Sequence, residues 1–194
     1  MEKSLKPKNK NMKLPDLVMR SLELAAVWHL GQKRKHPLEV IPYIAHPVQV
    51  GYLLQSVGAP EHVIAAGILH DVVEDSSVTE KNLVLATNPK VARLVMEVSE
   101  PKSIKDWQKR KDAFLVSLSK ASKEALLIKC ADHVSNLRSL LEASKASPDV
   151  WRMFNGDREH KLAYEQAIFG LIKKKIKSPL VGLQNELLKK VSKI

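Results

Sequence analysis

The sequence contains a single cysteine, Cys130, among 194 residues. A lone thiol excludes an intramolecular disulfide and any zinc site built from cysteines, so a metal must be held by histidine and carboxylates. Long apolar runs are missing too. No stretch of about eighteen uncharged apolar residues occurs, and the lysine-studded start from Met1 to Lys13 has no apolar core of the signal-peptide kind. A soluble, cytoplasmic protein without a membrane span is therefore expected. Glycine is scarce at 7 residues and no glycine-rich phosphate loop is present, which disfavours P-loop and dinucleotide-binding folds.

Positive charge is abundant, a net +11 with histidine neutral, but it is unevenly placed. Residues 1–13 carry five lysines against Glu2, a surplus of +4, and residues 173–194 carry seven against Glu186, a surplus of +6. Only +1 remains for residues 14–172. Charge gathered at the ends reads as solvated tails and not as a nucleic-acid groove, so nucleic acid is not the expected partner.

Apolar positions recur three and four apart with few alternating β-branched runs, which predicts an all-α fold. Asp16 can cap a helix running to Trp28 and stopped by Gly31, and a basic loop from Gln32 to Pro42 follows. Pro47, Pro60 and Pro89 suit first helical positions and predict helices over 47–57, 60–75 and 89–98. Thr79 with Asn82 suggests a short capped helix to Ala86. Further helices are predicted over 104–118, 123–142, 157–175 and 180–193, with Pro101, Pro148 and Pro179 as breaks. The count falls at about eight to ten helices in one bundle.

Chemistry concentrates in three places. The apolar run IAAGILHDVVED delivers His70, Asp71, Glu74 and Asp75 together, and a continuous helix would put all four on one side. Three acids near a helix C-terminus oppose the macrodipole, so a compensating positive charge is required, and a divalent cation would supply it. Lys129, Asp132, Asn136 and Ser139 share one face of a second, otherwise apolar helix. That stripe reads either as a solvated face with an ordinary Lys–Asp pair or as the lining of a cavity. His46, in PYIAHP, sits at a helix start, where it reads as a partly exposed capping residue or as a ligand. His29, His36, His62, His133 and His160 have no comparable acid cluster and read as structural or surface residues, with His133, which adjoins Asp132, also read as a bystander in the cavity.

In order along the chain, His46, His70-Asp71 and Asp132 reproduce the H…HD…D signature of the HD superfamily of metal-dependent phosphohydrolases. PYIAHPVQV, AAGILHDVVEDSSVT and IKCADHVSNLRSL resemble the hydrolase domain of the RelA/SpoT alarmone enzymes, and the short length resembles that of the stand-alone small alarmone hydrolases. The likeness runs from about Leu17 to Tyr164. It implies an HD hydrolase domain over 14–177, between a basic N-terminal tail (1–13) and a basic C-terminal helix or tail (178–194). It also implies one metal ion, Mn²⁺, held by His46, His70, Asp71 and Asp132, with Glu74 and Asp75 orienting and deprotonating the attacking water.

The resemblance further assigns Arg34 and Lys35 to substrate phosphates, Asn136, Arg138 and Ser139 with Lys129 to the nucleotide pocket, and Arg158 and Tyr164 to a late pocket helix. The implied reaction removes the 3′-pyrophosphate of guanosine tetraphosphate or pentaphosphate, (p)ppGpp, giving GDP or GTP plus pyrophosphate. Adenosine alarmones and the 2′-phosphate of NADPH are the alternative substrates. A role as detoxifying partner of a toxic alarmone synthetase is also consistent with the family, and the length leaves no room for a synthetase domain. The chain departs from the family around His36-Pro37, which lengthen the basic loop, and at Ser99, His133 and Ser135.

Overall fold

A computed structural model describes residues 15–147, 149–153 and 158–194. The basic segment 1–13, Pro148 and the expected helix start at Asp157 lie outside the described residues. Among those described, the fold is all-helical, as the apolar spacing predicts. Its elements are α1 (Asp16–Trp28), α2 (Ala45–Ser56), α3 (Glu61–Ile68), α4 (Val72–Asp75), α5 (Glu80–Ala86), α6 (Pro89–Val98), α7 (Trp107–Leu118), α8 (Lys123–Ala146), α9 (Arg158–Lys175) and α10 (Pro179–Val191), with a 3-10 turn at Val150–Met153.

Local chemistry sets most of these ends. Thr79 and Asn82 form a reciprocal capping box at the start of α5. Asn88 caps α6, where Pro89 is the first helical residue and needs no N–H partner. Asp106 and Ser122 accept from backbone N–H groups to open α7 and α8, so α7 begins at the cap and not at Ile104. Gly31, at φ +79°, turns the chain out of α1 in the left-handed region.

One expected helix is two. The predicted helix over 60–75 ends at Ile68 and resumes at Val72. The Gly67 carbonyl, which a continued helix would offer to the Asp71 N–H, instead accepts from His70 Nδ1 at 2.8 Å. His70 and Asp71 therefore sit in a turn, and Glu74 and Asp75 on a separate short helix, not on one face of a single helix.

The central strut is α8, which packs against α2, α3, α6, α9 and α10. Its first half joins a core that includes Leu54, Leu69, Leu94, Phe114 and Ile128, all buried. Its second half joins Val150, Leu162, Leu188 and Val191. The C-terminal helix α10 is thus no solvated tail: its lysines face out while Leu180, Gln184, Leu188 and Val191 are buried.

Close approach of α2 and α3 depends on glycine. A Cβ added at Gly67 would lie 2.2 Å from Leu54 Cδ1, and one at Gly51 would lie 2.7 Å from Ile68 Cγ1. Gly67→Ala is expected to cost about 1–3 kcal/mol by overpacking. Gly170→Ala and Gly182→Ala, where an added Cβ meets nothing within 4 Å, should instead gain up to about 1 kcal/mol from helix propensity. Urea unfolding of the three variants checks both signs.

Candidate metal centre and nucleotide cavity

Three separate elements bring the four expected ligands together. His46 comes from the first turn of α2, His70 and Asp71 from the α3–α4 turn, and Asp132 from the middle of α8. Ligand atoms of His46, His70 and Asp132 all lie within 4.8 Å of one another. The two Nε2 atoms are 3.3 Å apart, and Asp132 Oδ1 is 3.2 Å and 3.6 Å from those of His46 and His70. Asp71 Oδ2 reaches the same nitrogens at 3.5 Å and 3.0 Å. His46 is only 1% exposed, so it is neither a partly exposed residue nor a helix cap.

The hydrogen bonds fix the tautomers. His70 Nδ1 faces the Gly67 carbonyl, which only accepts, so the proton is on Nδ1. His46 Nδ1 donates at 2.9 Å to Ser135 Oγ, whose own proton goes to Gln49 Oε1 at 2.9 Å. Both Nε2 lone pairs consequently face two carboxylate oxygens and each other, an arrangement that requires a cation at its centre. In a protein-only site a proton is the available substitute. Burial lowers the His70 pKa, but Asp71 and Asp132 overcome it and push it up to about 10. Burial likewise opposes ionised Asp71 and Asp132, yet neighbouring positive charge and hydrogen bonds hold both well below the usual carboxylate range. Imidazole nitrogen with carboxylate oxygen is a donor set that fits Mn²⁺, Fe²⁺ or Zn²⁺.

Asp132 is braced further. Lys129 Nζ binds its Oδ2 at 2.8 Å and Asn136 Nδ2 donates to its Oδ1 at 2.5 Å, while Arg34 Nη2 donates to Asn136 Oδ1 at 3.0 Å. The Lys129–Asp132 stripe is therefore a cavity lining, with Lys129 7% exposed and its ammonium 5.1 Å from the Phe114 ring centre. Glu74 lies beside the cluster and accepts the Glu100 N–H at 2.9 Å. Burial first, then the Asp71 charge, raises its pKa to about 7, against Lys129 and the Glu100 N–H, which lower it. Asp75, raised for the same two leading reasons, is exposed at the rim.

From Glu74 and Asp132 opens a cavity of about 480 Å³, lined by seven Lys or Arg residues, four acids and the rings of Trp107, His133 and Tyr164. A second space of about 330 Å³ shares Lys35, Asn136, Lys161 and Glu165 with it and adds Arg34, Tyr43, Ser139 and the apolar Leu137, Leu140 and Ala143. A cation-rich chamber beside one that sets an apolar wall of Leu137, Leu140 and Ala143 among Lys33, Arg34 and Lys35 suits a phosphorylated nucleoside.

The HD-domain profile matches residues 21–155, most of the chain and all four candidate ligands. The chain belongs to the HD-domain family. Its sequence is 39% identical over 124 residues to the guanosine-3′,5′-bis(diphosphate) 3′-pyrophosphohydrolase MESH1 of Drosophila melanogaster, covering 63% of this chain and 68% of that protein. Human MESH1 is 35% identical over 136 residues, covering 69% and 73%. A solved structure described as a metazoan ortholog of SpoT that hydrolyzes ppGpp superposes with a TM-score of 0.80 at 29% identity, over 93% of this chain and 98% of that one.

On this HD scaffold the expected substrate residues divide. Arg34, Lys35, Lys129, Asn136, Ser139 and Tyr164 line the two chambers. Arg138 does not, being exposed on the far side of its helix turn from Asn136. Arg158 is also elsewhere: its guanidinium donates to the Ser192 and Ile194 carbonyls, 2.8 and 2.9 Å away, and anchors the end of the chain. Sequence reasoning missed Tyr43, Glu100, Lys111 and Glu165, which line or brace the same chambers, while His133, read as a cavity bystander from its place beside Asp132, is paired there with Glu165. Of the four missed, only Tyr43, three residues before His46, had a positional signal; the others are joined by tertiary contact alone.

Two outcomes follow for this HD centre. Mn²⁺ at a hundred times its dissociation constant should stabilise the protein by about 2.7 kcal/mol, read as a rise in melting temperature that His70→Ala abolishes. Because Glu74 has a folded pKa of about 7 against an ordinary 4.5, its contribution to stability is fully present below pH 4.5 and is lost as pH rises through 7. Glu74→Gln should therefore stabilise the chelator-treated protein by roughly 1–3 kcal/mol at pH 8 and have little effect at pH 4, measured by denaturant unfolding.

Proposed function

We propose that this HD-domain protein is a divalent-cation-dependent, cytoplasmic pyrophosphohydrolase that removes the 3′-pyrophosphate of guanosine tetraphosphate or pentaphosphate. The observation that carries this reading is the convergence of His46, His70, Asp71 and Asp132 beside Glu74, at the mouth of a cavity lined by cations. The activity of the Drosophila and human relatives supports the same substrate. Residues 14–177 form the hydrolase unit in this reading, with α10 packed on it.

Bound at the four ligands, Mn²⁺ would neutralise phosphate oxygens and lower the pKa of an attacking water. The chain's own residues do the rest. Lys35, Lys111 and Lys161 hold the polyanion and cancel the charge that would repel the nucleophile. Arg34, fixed on Asn136, holds the nucleoside end near the apolar wall of Leu137 and Leu140. The water oxygen bonds to the phosphorus attached to the 3′ oxygen, and the bond between that phosphorus and the 3′ oxygen breaks. Glu74 takes the proton from the water, its raised pKa matching it to that exchange near neutrality, and with Asp75 returns a proton to the departing 3′ oxygen. Pyrophosphate and the 5′-diphosphate or 5′-triphosphate nucleoside leave.

Purified protein with Mn²⁺ should release pyrophosphate from guanosine tetraphosphate, and chelator should stop it. Asp71→Ala and Asp132→Ala should each reduce turnover by at least a thousandfold, roughly the scale of a lost 4 kcal/mol of transition-state stabilisation. Full turnover in both variants would remove this reading. Faster release from an adenosine alarmone or from NADPH in the same panel would keep the metal centre and change the substrate.

A further inference from the structure

Of the four ligands Asp71 is the most exposed, its side chain 15% accessible against 1% for each histidine and 5% for Asp132. It also lies in a turn and makes no cap bond of its own. The other three are held from behind: His46 by Ser135, His70 by the Gly67 carbonyl, Asp132 by Lys129 and Asn136. The corresponding support for Asp71 comes from outside the ligand set and outside the reaction, in a 2.5 Å hydrogen bond donated by the Tyr43 hydroxyl to Oδ2, the same oxygen that faces both Nε2 atoms.

We infer that Tyr43 is the positioning residue of the metal centre, aiming the Asp71 carboxylate and tying it to the loop that carries Arg34 and Lys35. This rests on the reading of His46, His70, Asp71 and Asp132 as metal ligands.

The phenol is itself immobilised. Its backbone N–H donates to the Gln32 carbonyl at 2.9 Å, and the Arg34 N–H donates to the Ile41 carbonyl at 2.9 Å, which closes the loop into a narrow ribbon. Gln32 Nε2 donates to the Asp75 carbonyl at 2.8 Å, which leaves its Oε1 to accept from His29 Nδ1 at 2.7 Å. The buried His29 ring lies 4.8 Å from the Tyr43 ring, and the Arg34 guanidinium lies 5.8 Å from the Tyr43 ring centre. A ring walled in this way keeps its hydroxyl on the carboxylate side of the loop, where Asp71 Oδ2 accepts from it. The Asp71 carboxylate oxygen only accepts, so the phenol is the donor. The loop is joined to the centre a second time through Arg34, Asn136 and Asp132.

The test is Tyr43→Phe in the full chain, which keeps the ring and deletes the donor. Mn²⁺ binding is measured by calorimetry without substrate, and thermal unfolding is followed in chelator. The expected result is a 10–100-fold loss of Mn²⁺ affinity, the usual effect of removing such a partner, with melting in chelator within a few degrees of wild type. Turnover should recover toward wild type when Mn²⁺ is raised to saturate the variant. An affinity within twofold of wild type overturns the inference, as does a loss of affinity matched by an equal loss of stability in chelator. Failure of the wild-type chain to bind Mn²⁺ overturns the metal reading and this inference with it, whereas the variant's result alone bears on Tyr43.

Discussion

Two imidazole nitrogens are held 3.3 Å apart, with one carboxylate oxygen of Asp71 and one of Asp132 each within 3.0–3.6 Å of both, and the rest of the molecule is arranged around that fact. Such donors repel in the absence of a cation, and in a buried site the repulsion is poorly screened. A fold can hold them only if rigid elements bring them in from different directions. Here α2, the α3–α4 turn and α8 do so, and the glycines at 51 and 67 allow the first two to approach closely enough for the rings to meet. Packing at one contact thus sets the distance between two imidazoles, His46 and His70, that are 24 residues apart in the chain.

The centre also explains why the chain breaks a helix it could have continued. A straight helix through 60–75 would carry His70, Asp71, Glu74 and Asp75 on one face, with three carboxylates competing at its C-terminal end. By bonding its own Nδ1 to the Gly67 carbonyl, His70 stops α3, fixes its tautomer and turns Asp71 toward the ligand cluster in one move. Glu74, now on α4, has its carboxylate held by a backbone N–H and lines the same cavity as Asp132.

What the sequence made legible follows from how local each determinant is. The Thr79–Asn82 cap, the Pro89 start and the apolar spacing of α8 are all set within one or two turns, and those helices begin where the signals put them, α8 running on past Glu142 to Ala146. The ordered His46, His70-Asp71 and Asp132 set was legible because a metal demands ligand types that few other roles combine. The break at Leu69–Asp71 was hidden because it depends on a side chain displacing a backbone donor. The burial of Lys129 was hidden because periodicity gives a face but not what covers it; α7 and Phe114 do that from another part of the chain. Arg158 was placed by motif position, yet the Ser192 and Ile194 carbonyls that follow α10, distant in sequence, claim it.

Net charge was the least informative quantity, for an electrostatic reason. Residues 14–172 are almost neutral overall, yet within them an anionic centre stands against a cation-lined chamber. The protein itself sets only Lys129 and a protonated His70 against the carboxylates of the centre, and seven cations line the chamber against four acids. Lys111 and Arg110 already share Glu100, so an added polyanion meets cations only partly neutralised by the protein. A divalent metal and a polyphosphate are the two ligands whose charges complete both halves, and each lowers the cost of binding the other. The separation of charge inside a nearly neutral body, and not the lysines at its ends, is what selects the ligands.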